Sequence, residues 1–166
     1  MTFKLYRYKD HAESFINQFA KYKNVTFSIC STYREVILDS DVVISSVTYA
    51  ENNFSQDECY KPGCLVVPIH TLGFQNCDLF FDKVYADDID HVRGFKYFDK
   101  FKKFAQISDV VSGNTKGREN DQERIIVYNI GIALHDIFFA EKIYQLLDGD
   151  RGTTVDFDPP MEKFWL

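Results

Sequence analysis

The sequence predicts an α/β fold in which a parallel sheet is flanked by helices, and three observations carry that expectation. Short apolar, β-branched runs alternate with segments of helical periodicity, the pattern of βαβ units. Several of those runs, such as Cys64 to Ile69 and Ile125 to Tyr128, are apolar at consecutive positions, as strands covered on both faces require. The chain of 166 residues is 45% hydrophobic and 27% charged, which supplies one sizeable core and argues against disorder.

The elements follow in order. A strand at about Phe3 to Tyr8 precedes a helix at about Asp10 to Lys21, where Ala12, Phe15, Ile16 and Phe19 recur at helical spacing. Val25 to Cys30 reads as a second strand. Ser31 or Thr32 is placed to cap a short helix over Tyr33 to Leu38, because a side-chain oxygen there satisfies a free helix N–H. Asp41 to Ser46 is a third strand. Lys61-Pro62-Gly63 makes a tight turn into Cys64 to Ile69, and Pro68, which has no N–H for a ladder, is expected to end or bulge that strand.

A short strand near Lys83 to Ala86 leads into Asp87-Asp88, whose carboxylates suit a helix N-terminus. From Asp90 to Phe104 the aromatic residues Phe95, Tyr97, Phe98, Phe101 and Phe104 recur close to helical spacing and are assigned to core packing. Val110 to Glu123 is a polar loop, Arg124 to Tyr128 a further strand, and Ile132 to Leu147 a final helix with Ala133, Ile137, Ala140, Ile143 and Leu147 on one face. Asp148-Gly149-Asp150 is expected to stop it. Residues 1–148 are taken as one domain and 149–166 as a C-terminal tail.

Composition excludes several classes. A net charge of −6 provides no basic patch for a phosphate backbone, so no nucleic-acid partner is expected. No apolar stretch approaches a bilayer-spanning length and no secretory leader follows Met1, so neither membrane nor export is expected and the chain is placed in the cytoplasm. Cys30, Cys59, Cys64 and Cys77 lack paired metal-ligand spacing and are read as reduced thiols, and the four histidines share no such spacing with carboxylates or thiols, so no metal is expected.

The C-terminal third carries the most specific pattern: Ile107-Ser108-Asp109-Val110-Val111-Ser112-Gly113, then Gly117-Arg118, then Glu123 to Tyr128, then Asn129-Ile130-Gly131-Ile132-Ala133-Leu134-His135-Asp136, and finally Ala140 to Tyr144. Upstream stand Asp41 to Thr48 and Lys61-Pro62-Gly63. Together these resemble the ornithine cyclodeaminase/mu-crystallin family over about Phe3 to Tyr144, which corresponds to the later half of a family member. The departures are Ser108 for the turn glycine, Arg124 after Glu123, and Asn129 where Ser or Thr is usual.

The resemblance implies a Rossmann-like sheet, truncated at its N-terminal side, with NAD or NADP as cofactor and an amino acid or its imine as substrate in the full-length parent. Such folds hold pyrophosphate at a GxGxxG turn after the first strand. No such turn occurs here; the nearest approach, Gly113 to Arg118, has the wrong spacing. Registered on the family, the missing first strand is the middle one of a 3-2-1-4-5-6 order, which leaves a gap inside the sheet. Exposed strand edges recruit other chains, so a homo-oligomer or a rearranged strand order is expected.

Ligands in open α/β sheets lie beyond the carboxyl ends of the strands, and that rule selects the candidates. Arg7, ending the first strand, suits a ribose 2′-phosphate and is equally readable as a surface residue. The resemblance implies ribose contacts at Val47 and Thr48 and nicotinamide-side contacts at Asn129 and Gly131; Thr48 can also cap a turn, and Gly131 can simply permit one. Thr71 is a weaker cofactor candidate. His70 lies in the stretch where cyclodeaminases carry a catalytic Asp: without a gap Leu72 takes that position and with a short shift His70 does, and no Asp occurs from Val66 to Cys77. It is the candidate general acid or base, against a structural role at a strand end. Asp136 is a candidate on the final helix or a solvated carboxylate there. The functional expectation is an NAD(P)-dependent oxidoreductase or cyclodeaminase-like protein; the alternative is a non-catalytic remnant or nucleotide-binding subunit.

Overall fold

The computed structural model describes residues 1–147 apart from 48, 71, 75 and 76, and residues 152, 153 and 155. Two compact units are present, Met1–Gly131 and Ile132–Leu166. The boundary expected after residue 148, the expected helix stop at 148–150 and most of the tail lie outside the described residues.

In the first unit the strands are β1 (Thr2–Tyr6), β2 (Thr26–Cys30), β3 (Val42–Ser45), β4 (Leu65–Pro68), β5 (Lys83–Ala86), β6 (Phe104–Gln106) and β7 (Ile125–Tyr128). The helices are α1 (His11–Phe19), α2 (Tyr33–Ile37), α3 (Ile89–Val92) and α4 (Ile107–Val111). Every strand pairing is parallel. Among the described residues the strands form two sheets, β1-β2 and β3-β4-β7-β5-β6.

Local chemistry places these elements as the sequence indicates. Thr32 caps α2 by accepting from the Glu35 N–H at 3.2 Å, while Glu35 Oε2 accepts from the N–H of Ser31, the residue before the cap, at 2.8 Å. Pro68 is the last residue of β4, so its missing N–H falls where the ladder ends. Asp88 caps α3 by accepting from the Asp90 N–H at 2.8 Å. Gly63 sits at φ +80° in the turn before β4, and a Cβ there would lie 2.3 Å from the Asp121 carbonyl oxygen.

The core is a row that crosses the larger sheet. Val43, Val66, Ile126, Val84 and Phe104 are successive cross-strand partners from β3 to β6. The middle three are fully buried. On their flank pack Tyr60, Phe74, Phe81, Val92 and Tyr128. At the amino end of β5, buried Lys83 is held by Glu119 at 2.8 Å and Glu123 at 3.1 Å and also donates to the Gly117 carbonyl. That ion group ties the loop before β7 to the sheet.

Two expectations are corrected. The aromatic stretch from Asp90 to Phe104 is not one helical run: α3 ends at Val92, a single 3-10 turn spans Phe98–Lys100, and Phe104 opens β6. Gly94 follows Arg93, the C-cap of α3, and glycine weakly supports a helix; the packing role holds, since Phe95, Phe98, Phe101 and Phe104 all lie against the core. In the larger sheet β7 enters between β4 and β5. Coverage on both faces holds for β5, buried throughout, but not for edge strand β3, whose Val42 and Ile44 are 53% and 66% exposed while Val43 and Ser45 are buried.

The second unit contains α5 (Ala133–Leu146), and Leu147 after it is extended. Leu134, Ile137, Phe138 and Ile143 are exposed, so its own unit's described residues do not cover them.

Replacing Gly63 by Ala tests the β4 entry turn. It forces a left-handed conformation on a side chain and drives its Cβ into a carbonyl, so G63A is expected to lose about 2 kcal/mol of unfolding free energy in urea titrations.

Candidate functional site

The carboxyl ends of β3, β4, β7 and β5 form a continuous crest, stitched by backbone bonds just past each strand. The Ile69 N–H donates to the Ser45 carbonyl at 2.8 Å, the Asn129 N–H to Pro68 at 2.9 Å and the Asp87 N–H to Tyr128 at 2.9 Å. Parallel pairing thereby brings together residues from four separate segments. Val47, His70, Asn129 and Gly131 each lie within three residues of one of these strand ends.

His70 is fastened on both sides of its ring. Nδ1 accepts from the Leu72 N–H at 3.3 Å, so Nε2 carries the proton and donates to Ser45 Oγ at 2.7 Å. Phe54 meets the ring edge-on at a centroid distance of 5.9 Å. Burial pushes the imidazole pKa down from its ordinary value. The result is a neutral side chain that binds the end of β3 to the loop after β4.

Gly131 lies at φ +96°, and nothing stands within 4 Å of where its Cβ would be. Its N–H donates to Asp87 Oδ2. The other oxygen, Asp87 Oδ1, accepts from the Asp88 N–H at 2.8 Å and lies 3.1 Å from His91 Nδ1. Burial would raise the Asp87 pKa, but these three donors outweigh it and hold the carboxylate below its usual range. Asp87 therefore fixes the β7 turn from the neighbouring strand end, a role that sequence reading did not find because the partners are 44 residues apart.

Arg7 lies just beyond β1, in the smaller sheet, and its guanidinium pairs with Glu13 at 2.6 Å on the surface. Thr48 and Thr71 lie outside the described residues. Asp136 is on α5, in the second unit. Gly117 lies away from the crest: its carbonyl accepts from Lys83, the first residue of β5, at the amino edge of the sheet.

One buried carboxyl stands just after the stretch searched for an Asp. Asp78 is 2% exposed, with Oδ2 3.5 Å from the Tyr128 hydroxyl and Oδ1 without a hydrogen-bond partner. Burial raises its pKa to about 6.

Dinucleotide chemistry asks for two things at such a crest, and this chain supplies one. Exposed Ser46 and Asn129 and the open space at Gly131 suit the ribose and nicotinamide end. No glycine-rich turn follows a strand in the sequence, so nothing in these residues fits the pyrophosphate.

The family model described as "Ornithine cyclodeaminase/mu-crystallin family" matches residues 2–150. The chain belongs to this family. The nodulation efficiency protein NfeD of Rhizobium meliloti is 31% identical over 129 residues, which cover 73% of this chain and 40% of that protein. The N-((2S)-2-amino-2-carboxyethyl)-L-glutamate dehydrogenase of Staphylococcus aureus is 27% identical over 147 residues, 80% of this chain and 43% of that one. An archaeal alanine dehydrogenase dimer solved with bound NAD matches the fold at a TM-score of 0.73 and 18% identity, over 95% of this chain and 53% of that chain. The chain thus spans about two-fifths of the length of these curated relatives. The match bears out the family reading and the Rossmann-like α/β class. No described helix is long and apolar enough to cross a membrane.

Two titrations have opposite signs. A histidine whose folded pKa is lowered stabilises the fold fully above its unfolded value near 6.5, and that stability is lost as pH falls below it. Melting temperature is therefore expected to drop more between about pH 7.5 and about pH 5.5 in the wild type than in His70→Gln. A carboxyl with a raised pKa instead penalises the fold as pH climbs from its unfolded value of 3.8 to about 6 and at a constant level above that. Asp78→Asn is expected to gain about 2 kcal/mol at neutral pH and little at about pH 4, measured by urea unfolding.

Proposed function

We propose that the chain is the cofactor-side portion of an NAD(P)-dependent oxidoreductase or cyclodeaminase-like protein acting on an amino acid or its imine. The observation that carries this reading is the crest itself. Val47, His70, Asn129 and Gly131 come from distant segments to one carboxyl edge, where this fold class receives its ligands. Family membership supports it, as do relatives named as a glutamate-derivative dehydrogenase and an alanine dehydrogenase with bound NAD.

In this reading a bound nicotinamide supplies hydride transfer, and the chain supplies orientation. Val47, Asn129 and Gly131 would contact the cofactor's ribose and nicotinamide end, and the family resemblance implies further contacts at Thr48 and, more weakly, Thr71. Arg7 favours a 2′-phosphate, with its charge shared with Glu13. His70 acts as a positioning residue: with both ring nitrogens engaged it holds Ser45, and through it the ribose-side loop, in place. The full activity, the substrate and a homo-oligomeric assembly belong to this proposal.

A second reading is favoured by one observation. The chain covers only 40% and 43% of its curated relatives, and its sequence has no pyrophosphate turn. By itself it is then a nucleotide-contacting subunit without turnover.

Titration of the isotope-labelled chain with NADH and NADPH, followed by amide NMR, tests both readings. The expected result is weak, millimolar binding with shifts confined to residues 46–47, 70–72 and 129–131, since the pyrophosphate contacts are missing. Shifts centred elsewhere, or none at saturating nucleotide, would refute the cofactor-side assignment.

A further inference from the structure

The chain is acidic, but its charge is unevenly spread. Residues 93–103 hold five cations, Arg93, Lys96, Lys100, Lys102 and Lys103, against one acid, Asp99, a local charge of +4 in a chain of net charge −6, so the remainder carries −10. All six of these side chains belong to exposed residues. The backbone beneath them is fixed: the Phe98, Lys100 and Phe101 N–H groups donate to the Phe95, Tyr97 and Phe98 carbonyls at 3.1, 2.9 and 3.2 Å. Phe95, Phe98, Phe101 and Phe104 pack against the core, with Phe98 5.6 Å from Phe101 and 5.0 Å from Phe104 between ring centroids. Phenylalanines thus anchor the segment from within and leave its cations on the outside.

These cations are unequally satisfied. Arg93 pairs with Asp90 at 3.0 Å, Lys102 with Asp82 at 3.6 Å and Lys103 with Glu119 at 3.8 Å. Lys96 and Lys100 have no carboxylate partner among the described residues; both ammonium groups lie instead over the Tyr97 ring, 5.0 and 5.5 Å from its centroid. The ring face attracts each cation but cancels neither charge, so two like charges are held on one aromatic platform. Lys102 and Lys103 also have an ordinary duty, because lysines beside an edge strand such as β6 discourage its pairing with another chain. Lys96 and Lys100 stand further from β6 and are not explained by that duty.

We infer that the surface made by Lys96, Tyr97 and Lys100, with the neighbouring Arg93, Lys102 and Lys103, docks a short acidic segment of another protein. Charge complementarity selects an acidic partner, and the rest of the chain selects a short one. Surface charges act over about 8–10 Å at ordinary ionic strength. A long polyanion, whether nucleic acid or an anionic membrane, extends past the patch and meets the acidic remainder, whereas a segment of a few residues meets the lysines alone. In an extended segment, side chains two positions apart lie on one side about 6.6 Å from each other, so two carboxylates reach the two ammonium groups together. The anchored backbone keeps the cations in place before binding, which lowers the entropic cost of docking.

The probe is fluorescein-labelled hexaglutamate, titrated with the full chain and followed by fluorescence anisotropy, with labelled hexaglutamine as its control. Saturable binding of hexaglutamate alone is expected, with affinity falling at least tenfold between about 50 and about 300 mM salt. Lys96→Glu with Lys100→Glu should lower affinity at least tenfold, and Lys96→Arg with Lys100→Arg should keep it within about twofold. Lys21→Glu with Lys23→Glu makes the same change of net charge at two exposed lysines beyond α1 and should leave affinity within about twofold. The melting temperature of each variant checks that these surface changes keep the fold. Absence of saturable binding, or an equal loss from the two glutamate pairs, would overturn the inference. So would tighter binding of a single-stranded oligonucleotide, or of vesicles with equal parts phosphatidylserine and phosphatidylcholine, which would assign the surface to a long polyanion. Salt-sensitive self-association abolished by Lys96→Glu with Lys100→Glu would assign it to a second copy and overturn it as well.

Discussion

The row Val43–Val66–Ile126–Val84–Phe104 is the constraint on which the larger sheet depends. Because the pairings are parallel and in register, one residue from each strand lies at the same level, and three of the five are sealed from water. A slip of one residue in β7 would send Ile126 to the opposite face and bring Ile125 or Val127 into the row, so burial fixes the register. The crest follows from that register. Asn129 meets Pro68, and Asp87 meets Tyr128, only because the strands beneath them are aligned.

The two edges of the larger sheet do different work. At the amino edge, buried Lys83 gathers the more exposed Glu119 and Glu123, with the Gly117 carbonyl, into one ion group. Removing such a lysine would leave two carboxylates facing each other, so this end is built for rigidity. At the carboxyl edge the hydrogen bonds instead hold turns: Asp87 secures Gly131, and His70 secures Ser45. In open parallel sheets ligands are received beyond the carboxyl ends of the strands, which is this second edge.

Much of this was legible in the sequence because it rests on near neighbours. The Thr32 cap, the Gly63 turn and the end of β4 at Pro68 each involve residues a few positions apart. The placement of Val47, Asn129 and Gly131 beyond strand ends was legible for the same reason. What escaped depends on distance along the chain. Local periodicity carries no information on strand order, so the entry of β7 between β4 and β5 was not foreseen. The Asp87 carboxylate looked like a helix-start residue and is also the acceptor for Gly131. Strand β6 was hidden in an aromatic run whose spacing imitates a helix. Asp78 stood one residue past the stretch in which a carboxylate was sought, and its burial in the core leaves no mark on the local pattern.

The position of β7 also bears on how the chain is made. β4 and β5 are close in sequence, yet neither touches the other in the sheet; both pair with a strand that ends at Tyr128. During synthesis from the amino terminus their shared partner is the last of the seven to leave the ribosome, so the two wait with open edges and cannot close on each other. Final assembly of the larger sheet is thus delayed until its youngest strand arrives, and the nascent protein needs protection from stray pairing for that interval.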